Sequence, residues 1–344
     1  MFNKQKKYFI RVYDPGIKVS HGKIGNLDIE KNLKRNNFRA ISFLLRNSFT
    51  LRSKFLRFFY LLKTISTIPG NSVVVFQYPL YARLEMLLLK LLRLNRSLKF
   101  VCFITDINGI KDGNTILLRK EINFFRQFSL FIVHNDTMKR WLSEKVAFDN
   151  ISIIEFFDFF AKTNHSERNK KAEIAFAGNL EKSGFIEQLP LIFSKTSNFR
   201  IHLYGPGFQP KQETGSNIQF EGVVAPYELP LKIKGSFGLV WDGDSDYGLE
   251  GSLGTYFKII SPHKLSLYIL SGLPLITHSE AACAHLIKKY RIGFVVNSIT
   301  EIKNCIHSLS DDEYQMMKVN CNALAERIST GQNLQEALRK LSVY

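Results

Sequence analysis

Pro262-His263-Lys264-Leu265-Ser266 places two cationic side chains in the first turn of a helix that Gly272-Leu273-Pro274 closes. A helix start presents unpaired N–H groups and a positive dipole end, so each cation there costs about a few tenths of a kcal/mol. The pattern makes sense if a diphosphate sits beside it; a basic surface helix start is the plainer alternative. Gly178-Asn179-Leu180-Glu181-Lys182 follows an apolar run. Glycine lets backbone amides approach a phosphate there and Lys182 can neutralise it, although an ordinary strand-to-helix turn reads the same. Tyr204-Gly205-Pro206-Gly207 ends another run, either as a wall of a nucleotide pocket or as a plain turn. Trp241–Asp246 supplies Asp242, Asp244 and Asp246 after a third run, a cluster suited to sugar hydroxyls or to a solvated loop. No His or further carboxylate is spaced to complete a metal site, so no metal is expected. Asp106, in Thr105-Asp106, could deprotonate a hydroxyl or simply cap a helix. His134-Asn135-Asp136 reads first as cap and turn chemistry.

These residues need strands to hold them. Tyr8–Asp14, Ser72–Pro79, Lys99–Ile107 and Leu130–Asn135 are short apolar runs of the kind buried on both faces of a parallel sheet. Helical stretches, Tyr81–Leu94 and Leu117–Gln127, lie between them. The polar segment Ala161–Lys171 reads as a linker, after which the alternation restarts. Strands are expected at Glu173–Gly178, Arg200–Gly205, Ile218–Val223, Phe237–Asp242, Leu273–Thr277 and Ile292–Val296. Helices are expected at His263–Ser271, Ala281–Lys289 and Asp311–Ile328, the last with acidic residues in its first turn. The expectation is an α/β chain with two Rossmann-like domains facing a cleft, over 1–165 and 172–330, and a helical tail over 331–344. In such sheets ligands lie beyond the carboxyl ends of strands, which is where the candidate residues fall.

The chain has 344 residues, 45% of them hydrophobic, enough for two ordinary cores. Its four cysteines form no CxxC pair and read as buried or inert thiols of a reducing compartment. Neither a signal peptide nor a spanning apolar run is visible, so a cytoplasmic protein is expected. Charge is uneven: residues 1–165 carry 28 Lys and Arg against 12 Asp and Glu, the remainder 19 against 18. A basic first half favours polyanions or an anionic membrane surface. No nucleic-acid motif accompanies it, so no nucleic-acid partner is expected. Phe38–Lys63 interleaves basic and apolar residues and is either an amphipathic helix on anionic lipid or a core helix with a basic outer face.

The order and spacing of FGLVWDGD (237–244), GTYFK (254–258), SPHKLSLY (261–268), GLPLI (272–276) and RIGF (291–294) resemble bacterial β-1,6-galactofuranosyltransferases of O-antigen assembly. AGNL (177–180) and VHNDTM (133–138) are similar too. The glucosyltransferases that extend serine-linked GlcNAc on streptococcal adhesins are more distantly similar. The resemblance covers roughly residues 70 to 330 and is sharpest over 237–296. It implies a GT-B fold, no metal, and a nucleotide-sugar donor bound mainly by the second domain. It gives Lys264 the donor phosphates and makes Lys182 a position that is basic in the streptococcal relatives. By the same resemblance Gly178, Asn179, His263 and Ser266 would line the nucleotide, with Asp242 and Asp244 near the sugar; Tyr204, Gly205, Tyr256, Lys258 and Pro262 are expected to complete the donor side. Where relatives carry His-Asp after the strand matched by Phe100–Ile107, this chain has Thr105-Asp106, which leaves proton removal to Asp106 or another base. The implied donor is UDP-galactofuranose, with a hexopyranosyl donor or a non-catalytic sugar-nucleotide-binding subunit as alternatives. The implied acceptor is a lipid-linked glycan at the inner membrane face; a homo-oligomer remains open.

Overall fold

A computed structural model describes residues 5–12, 21–41, 50–193, 199–208, 217–243 and 245–343. Two six-stranded sheets form, every pairing parallel. The first contains β1 (Lys7–Ile10), β2 (Arg39–Ile41), β3 (Val73–Tyr78), β4 (Lys99–Ile104), β5 (Leu130–Val133) and β6 (Asn150–Ile153) in the order β2-β1-β3-β4-β5-β6. The second contains β7 (Glu173–Ala177), β8 (Arg200–Tyr204), β9 (Ile218–Gly222), β10 (Phe237–Val240), β11 (Leu275–His278) and β12 (Gly293–Val296) in the order β12-β11-β10-β7-β8-β9. All six residues of β3 are buried, as a strand covered by helices on both faces requires. Strand order reverses between β1 and β3 in the first sheet and between β7 and β10 in the second. Each reversal opens a crevice at the carboxyl ends of the strands.

The expected strands are present with ends trimmed by a few residues; Asp14 lies outside the described residues. Two strands, β2 and β6, were not foreseen. The stretch Phe38–Lys63 is not one helix: it begins with β2, and the helix is Leu51–Thr67. The segment 161–171 has no helix or strand, but it is tied down. Arg168 donates to the carbonyls of Gly235 and Ile233, and Asn164 N–H to the carbonyl of Leu270.

The chain passes between the two halves twice. After β6, Phe157 enters the first core, while Phe156 and Phe159 enter the second. At Gly331, with φ of 88°, the chain turns back after helix Asp311–Thr330. Helix Gln332–Lys340 then returns Leu334, Ala337 and Leu338 to the first core, against Phe9, Leu33 and Val75. The Asp158 carboxylate accepts from Asn333 N and Leu334 N, so it caps that helix.

Glu155 joins the halves from outside the cores, accepting from Lys289 Nζ and Tyr290 OH at 2.5 Å each. Burial alone would raise its carboxyl; these two donors prevail and hold it below the usual carboxylate range. The stability this contributes is present above the ordinary Glu value and is lost as pH falls through the folded one. Glu155→Gln is therefore expected to lower Tm by about 2–4 °C at pH 7, with the gap to wild type closing as pH falls below the ordinary Glu range. Thermal melts of both proteins across that range check it.

Candidate active site

Lys264 opens helix Lys264–Leu270. Its Nζ donates to the Trp241 carbonyl at 3.1 Å and to Asp242 Oδ1 at 3.0 Å, and lies 4.4 Å from the centroid of the Phe176 ring. A Cβ added to Gly178 would stand 3.2 Å from Lys264 Cε. One ammonium therefore occupies the point where β7 and β10 end side by side, the crevice of the second sheet. Its side chain is 17% exposed and that of Asp242 31%, so the pair opens to solvent on one side. A diphosphate entering there meets a cation already oriented by a carboxylate and a carbonyl.

Gly178 and Gly205 bring two strand ends together. Gly178 N–H donates to the Tyr204 carbonyl at 3.0 Å, and Leu180 N–H to the Pro206 carbonyl at 2.9 Å. Gly205 has φ of 130°, and a Cβ on it would fall 1.8 Å from the Gly178 carbonyl oxygen. Only glycine fits. Gly205→Ala is expected to destabilise the fold by roughly 2–4 kcal/mol and to push the Gly178 turn off the crevice, with urea unfolding as the measurement. Asn179 and Lys182 lie exposed on that turn, with Asn179 Oδ1 accepting from Glu181 N at 3.1 Å.

His263 stands just before the helix, and its ring meets the Phe159 ring edge-on at 4.8 Å. A Cβ added to Gly25, in helix Ile24–Arg35 of the first half, would lie 3.3 Å from its Cδ2. The Pro262–Lys264 helix start thus faces the first half, half-buried. It is neither sunk in a core nor turned outward.

Other expected donor-side residues have different work. Ser266 is fully buried and its hydroxyl donates to the Phe157 carbonyl at 2.6 Å, fixing the crossing segment. The buried Tyr204 hydroxyl accepts from Lys234 N–H at 2.9 Å. Neither side chain lines the crevice: a hydroxyl near a strand end or helix start looks like a ligand contact in sequence, but here its partner is backbone brought up by the fold. Lys258 pairs with Glu280 at 2.7 Å on the wall of a separate open groove of about 960 Å³ between the halves, lined also by Lys139, Arg140, His285 and Lys288. Asp244 lies outside the described residues.

Tyr256 links the two halves. It is buried against the first core, and its hydroxyl donates to Asp106 Oδ1 while accepting from Ile107 N–H at 3.2 Å. Burial, then the neighbouring Asp106 charge, pushes its phenol far above its ordinary value, so it remains a donor. Lys111 Nζ holds Asp106 Oδ2 at 3.1 Å. The Asp106 side chain is 30% exposed, so a carboxylate fixed at both oxygens still meets solvent between the halves. The Lys111 and Tyr256 contacts carried no sequence signal of their own.

The His134-Asn135 pair does more than cap a helix. Asn135 Oδ1 caps helix Asp136–Ser143 by accepting from Met138 N, while Nδ2 donates to the Ile259 carbonyl and Ser261 Oγ at 3.0 Å each. His134 Nδ1 accepts from Ser261 N–H at 3.3 Å. Burial lowers the imidazole to about 4, so it is neutral at pH 7. The two residues clasp the segment that leads into the Lys264 helix. Among the described residues no group of three His, Cys, Asp or Glu stands together as a metal site.

Residues 6–156 match the family model described as "Glucosyltransferase 3-like, N-terminal domain", and residues 174–341 match its C-terminal counterpart. The chain belongs to the glucosyltransferase 3-like family. Among curated proteins, it is 29% identical to the β-1,6-galactofuranosyltransferase WbbI of Escherichia coli K12, over 72% of this chain and 73% of that one. It is 25% identical to Glucosyltransferase 3 of Streptococcus gordonii over 86% of each. Two solved structures have a similar fold. Sucrose-phosphate synthase of Thermosynechococcus elongatus has a TM-score of 0.64 at 12% identity, covering 98% of this chain and 99% of that one. Anabaena Alr3699/HepE, in complex with UDP and glucose, has a TM-score of 0.64 at 13% identity, covering 99% and 100%. This glucosyltransferase 3-like chain is a glycosyltransferase of GT-B fold.

Proposed function

We propose that the chain transfers galactofuranose from UDP-galactofuranose to a sugar hydroxyl of a lipid-linked surface-polysaccharide precursor, with inversion at the anomeric carbon. The supporting observation is the Lys264 ammonium, oriented at the β7–β10 crevice. In that place it neutralises the charge that grows on the departing nucleoside diphosphate, helped by the exposed Lys182. Asp106 takes the proton of the attacking hydroxyl, kept in orientation by Tyr256 and Lys111. Asp242 and Asp244 receive donor sugar hydroxyls. Reaction in the cytoplasm suits a chain in which, among the described residues, no helix is long and apolar enough to cross a membrane.

The named relative WbbI, at 29% identity, favours the furanose donor. The streptococcal relative matches over a longer stretch and supports UDP-glucose or another hexopyranosyl donor in the same crevice as the second reading. The test is UDP release from UDP-galactofuranose, UDP-galactose and UDP-glucose with simple α-glucosides as acceptors, followed by NMR of the product anomeric centre. Release from UDP-glucose alone would replace the first reading with the second. Tight UDP binding without turnover of any donor would make the chain a non-catalytic sugar-nucleotide binder. No metal takes part in this scheme, so EDTA is expected to leave the rate unchanged in the same assay.

A further inference from the structure

Helix Leu51–Thr67 is about 25 Å long and rests on the first sheet by one narrow side. Leu61 is fully buried there, and Ile65 packs beside it against the first core. The opposite face is apolar yet open: Phe55 is 68% exposed, Phe59 58%, Leu56 59% and Leu62 45%. At 100° per residue these four side chains fall within about one third of a turn, and exposed Arg52 and Lys63 share that arc. Helix Arg83–Leu92 packs alongside and adds exposed Leu87, with Leu94 just beyond it. Single exposed apolar residues are ordinary, but a contiguous stripe that includes Phe55 and Phe59 marks a contact surface.

Charge identifies the partner. Between Glu30 and Asp106 the sequence has 14 Lys and Arg and one acidic residue, Glu85. Glu85 is buried and its carboxylate accepts from Ala82 N–H, so it offsets little of the outward field. An apolar helical face bordered by cations, with almost no surface anion for 75 residues of chain, complements an anionic bilayer. The helix also points the right way. It links β2 to β3, which run parallel, so it runs back against them and begins near the carboxyl ends of the first sheet. Phe55 and Leu56, in its second turn, therefore lie at the same end of the domain as Asp106.

We propose that the Phe55–Phe59–Leu62 face inserts into the headgroup region of an anionic membrane and Arg52 and Lys63 bind its phosphates. The site-bearing end of the first half is then held at the bilayer surface. The proposal rests on the reading of a lipid-linked acceptor for its purpose, but its test does not depend on that reading.

The test is co-sedimentation of the purified full chain with vesicles of phosphatidylethanolamine and phosphatidylglycerol, and with pure phosphatidylcholine vesicles. Wild type is expected to bind the anionic vesicles at least ~10-fold better than the neutral ones, and less at high salt. Phe55→Ser/Phe59→Ser/Leu62→Ser is expected to lose at least ~10-fold of that binding, because each removed side chain takes its apolar surface out of the lipid. Arg52→Gln/Lys63→Gln is expected to flatten the salt dependence. UDP release with a soluble acceptor should be equal in all three proteins. No binding by wild type, or equal binding by the serine variant, overturns the proposal. So does a wild-type dimer in light scattering that the serine substitutions dissociate without any vesicle binding, since the face would then meet a second copy. Loss of UDP release in wild type with vesicle binding intact would instead count against the proposed function alone.

Discussion

Lys264→Ala is expected to weaken UDP binding by about 10- to 100-fold and to lower kcat/KM by roughly 10²–10³. The lysine is the only cation among the described residues whose ammonium touches the end of β10 and lies over a ring of β7. It acts on charge that builds as the diphosphate leaves, so the loss should exceed the loss in ground-state affinity. Lys264→Arg should not restore the rate: the pocket between Asp242, the Trp241 carbonyl and Phe176 is shaped to one ammonium, and a planar guanidinium presents its donors in a wider fork. Folding should be unaffected, because the Lys264–Asp242 pair is partly open to water and such pairs add little stability. Titration calorimetry with UDP and a thermal melt separate the two effects. An unchanged UDP affinity in a folded Lys264→Ala protein would remove the phosphate role.

The second large effect belongs to Asp106. Asp106→Asn is expected to lower kcat by about 10²–10⁴ while UDP affinity holds, since the amide keeps the hydrogen bond to Tyr256 in shape but cannot take a proton. Tyr256→Phe should lower kcat less, by roughly 3- to 10-fold, because it loosens one oxygen of the carboxylate without removing it. It should also cost about 1–3 kcal/mol of stability, since Ile107 N–H loses its acceptor in a buried place. The double variant is expected to be no slower than Asp106→Asn alone, the non-additivity of residues that act as one unit. An Asp106→Asn protein with wild-type kcat would move the base elsewhere.

Much of this fold could be read from residues. Runs such as Ser72–Pro79 and Glu173–Gly178 are apolar throughout, and only a strand covered on both faces needs that. The strand-end rule then located the crevice, because Gly178, Asp242 and Lys264 each follow or precede an apolar run. β2 stayed hidden because three residues, Arg39–Ile41, beside a basic helix carry no period at all. β6 stayed hidden behind Asn150 and Ser152, which look like turn residues. Three hydroxyls at the site share one physical pattern. Tyr204, Tyr256 and Ser266 bear hydroxyls whose partners are 30, 150 and 109 residues away in the chain. Sequence shows that a hydroxyl is present; only the fold shows which group it satisfies. The clasp of Asn135 on Ile259 and Ser261 was obscured in the same way, since an Asn before a helix already has a sufficient local explanation as a cap.

The second passage of the chain between the halves sets an order of events during synthesis. Leu334, Ala337, Leu338 and Leu341 fill the core of the first half, yet they are translated some 180 residues after β6 is complete. At ordinary elongation rates that gap lasts roughly 10–40 s. Through that interval the nascent first half carries an open apolar patch over β1, β3 and helix Ile24–Arg35, and the second half can finish folding ahead of it. A released chain truncated after Thr330 should therefore display a chaperone-binding first half beside a protease-resistant second one.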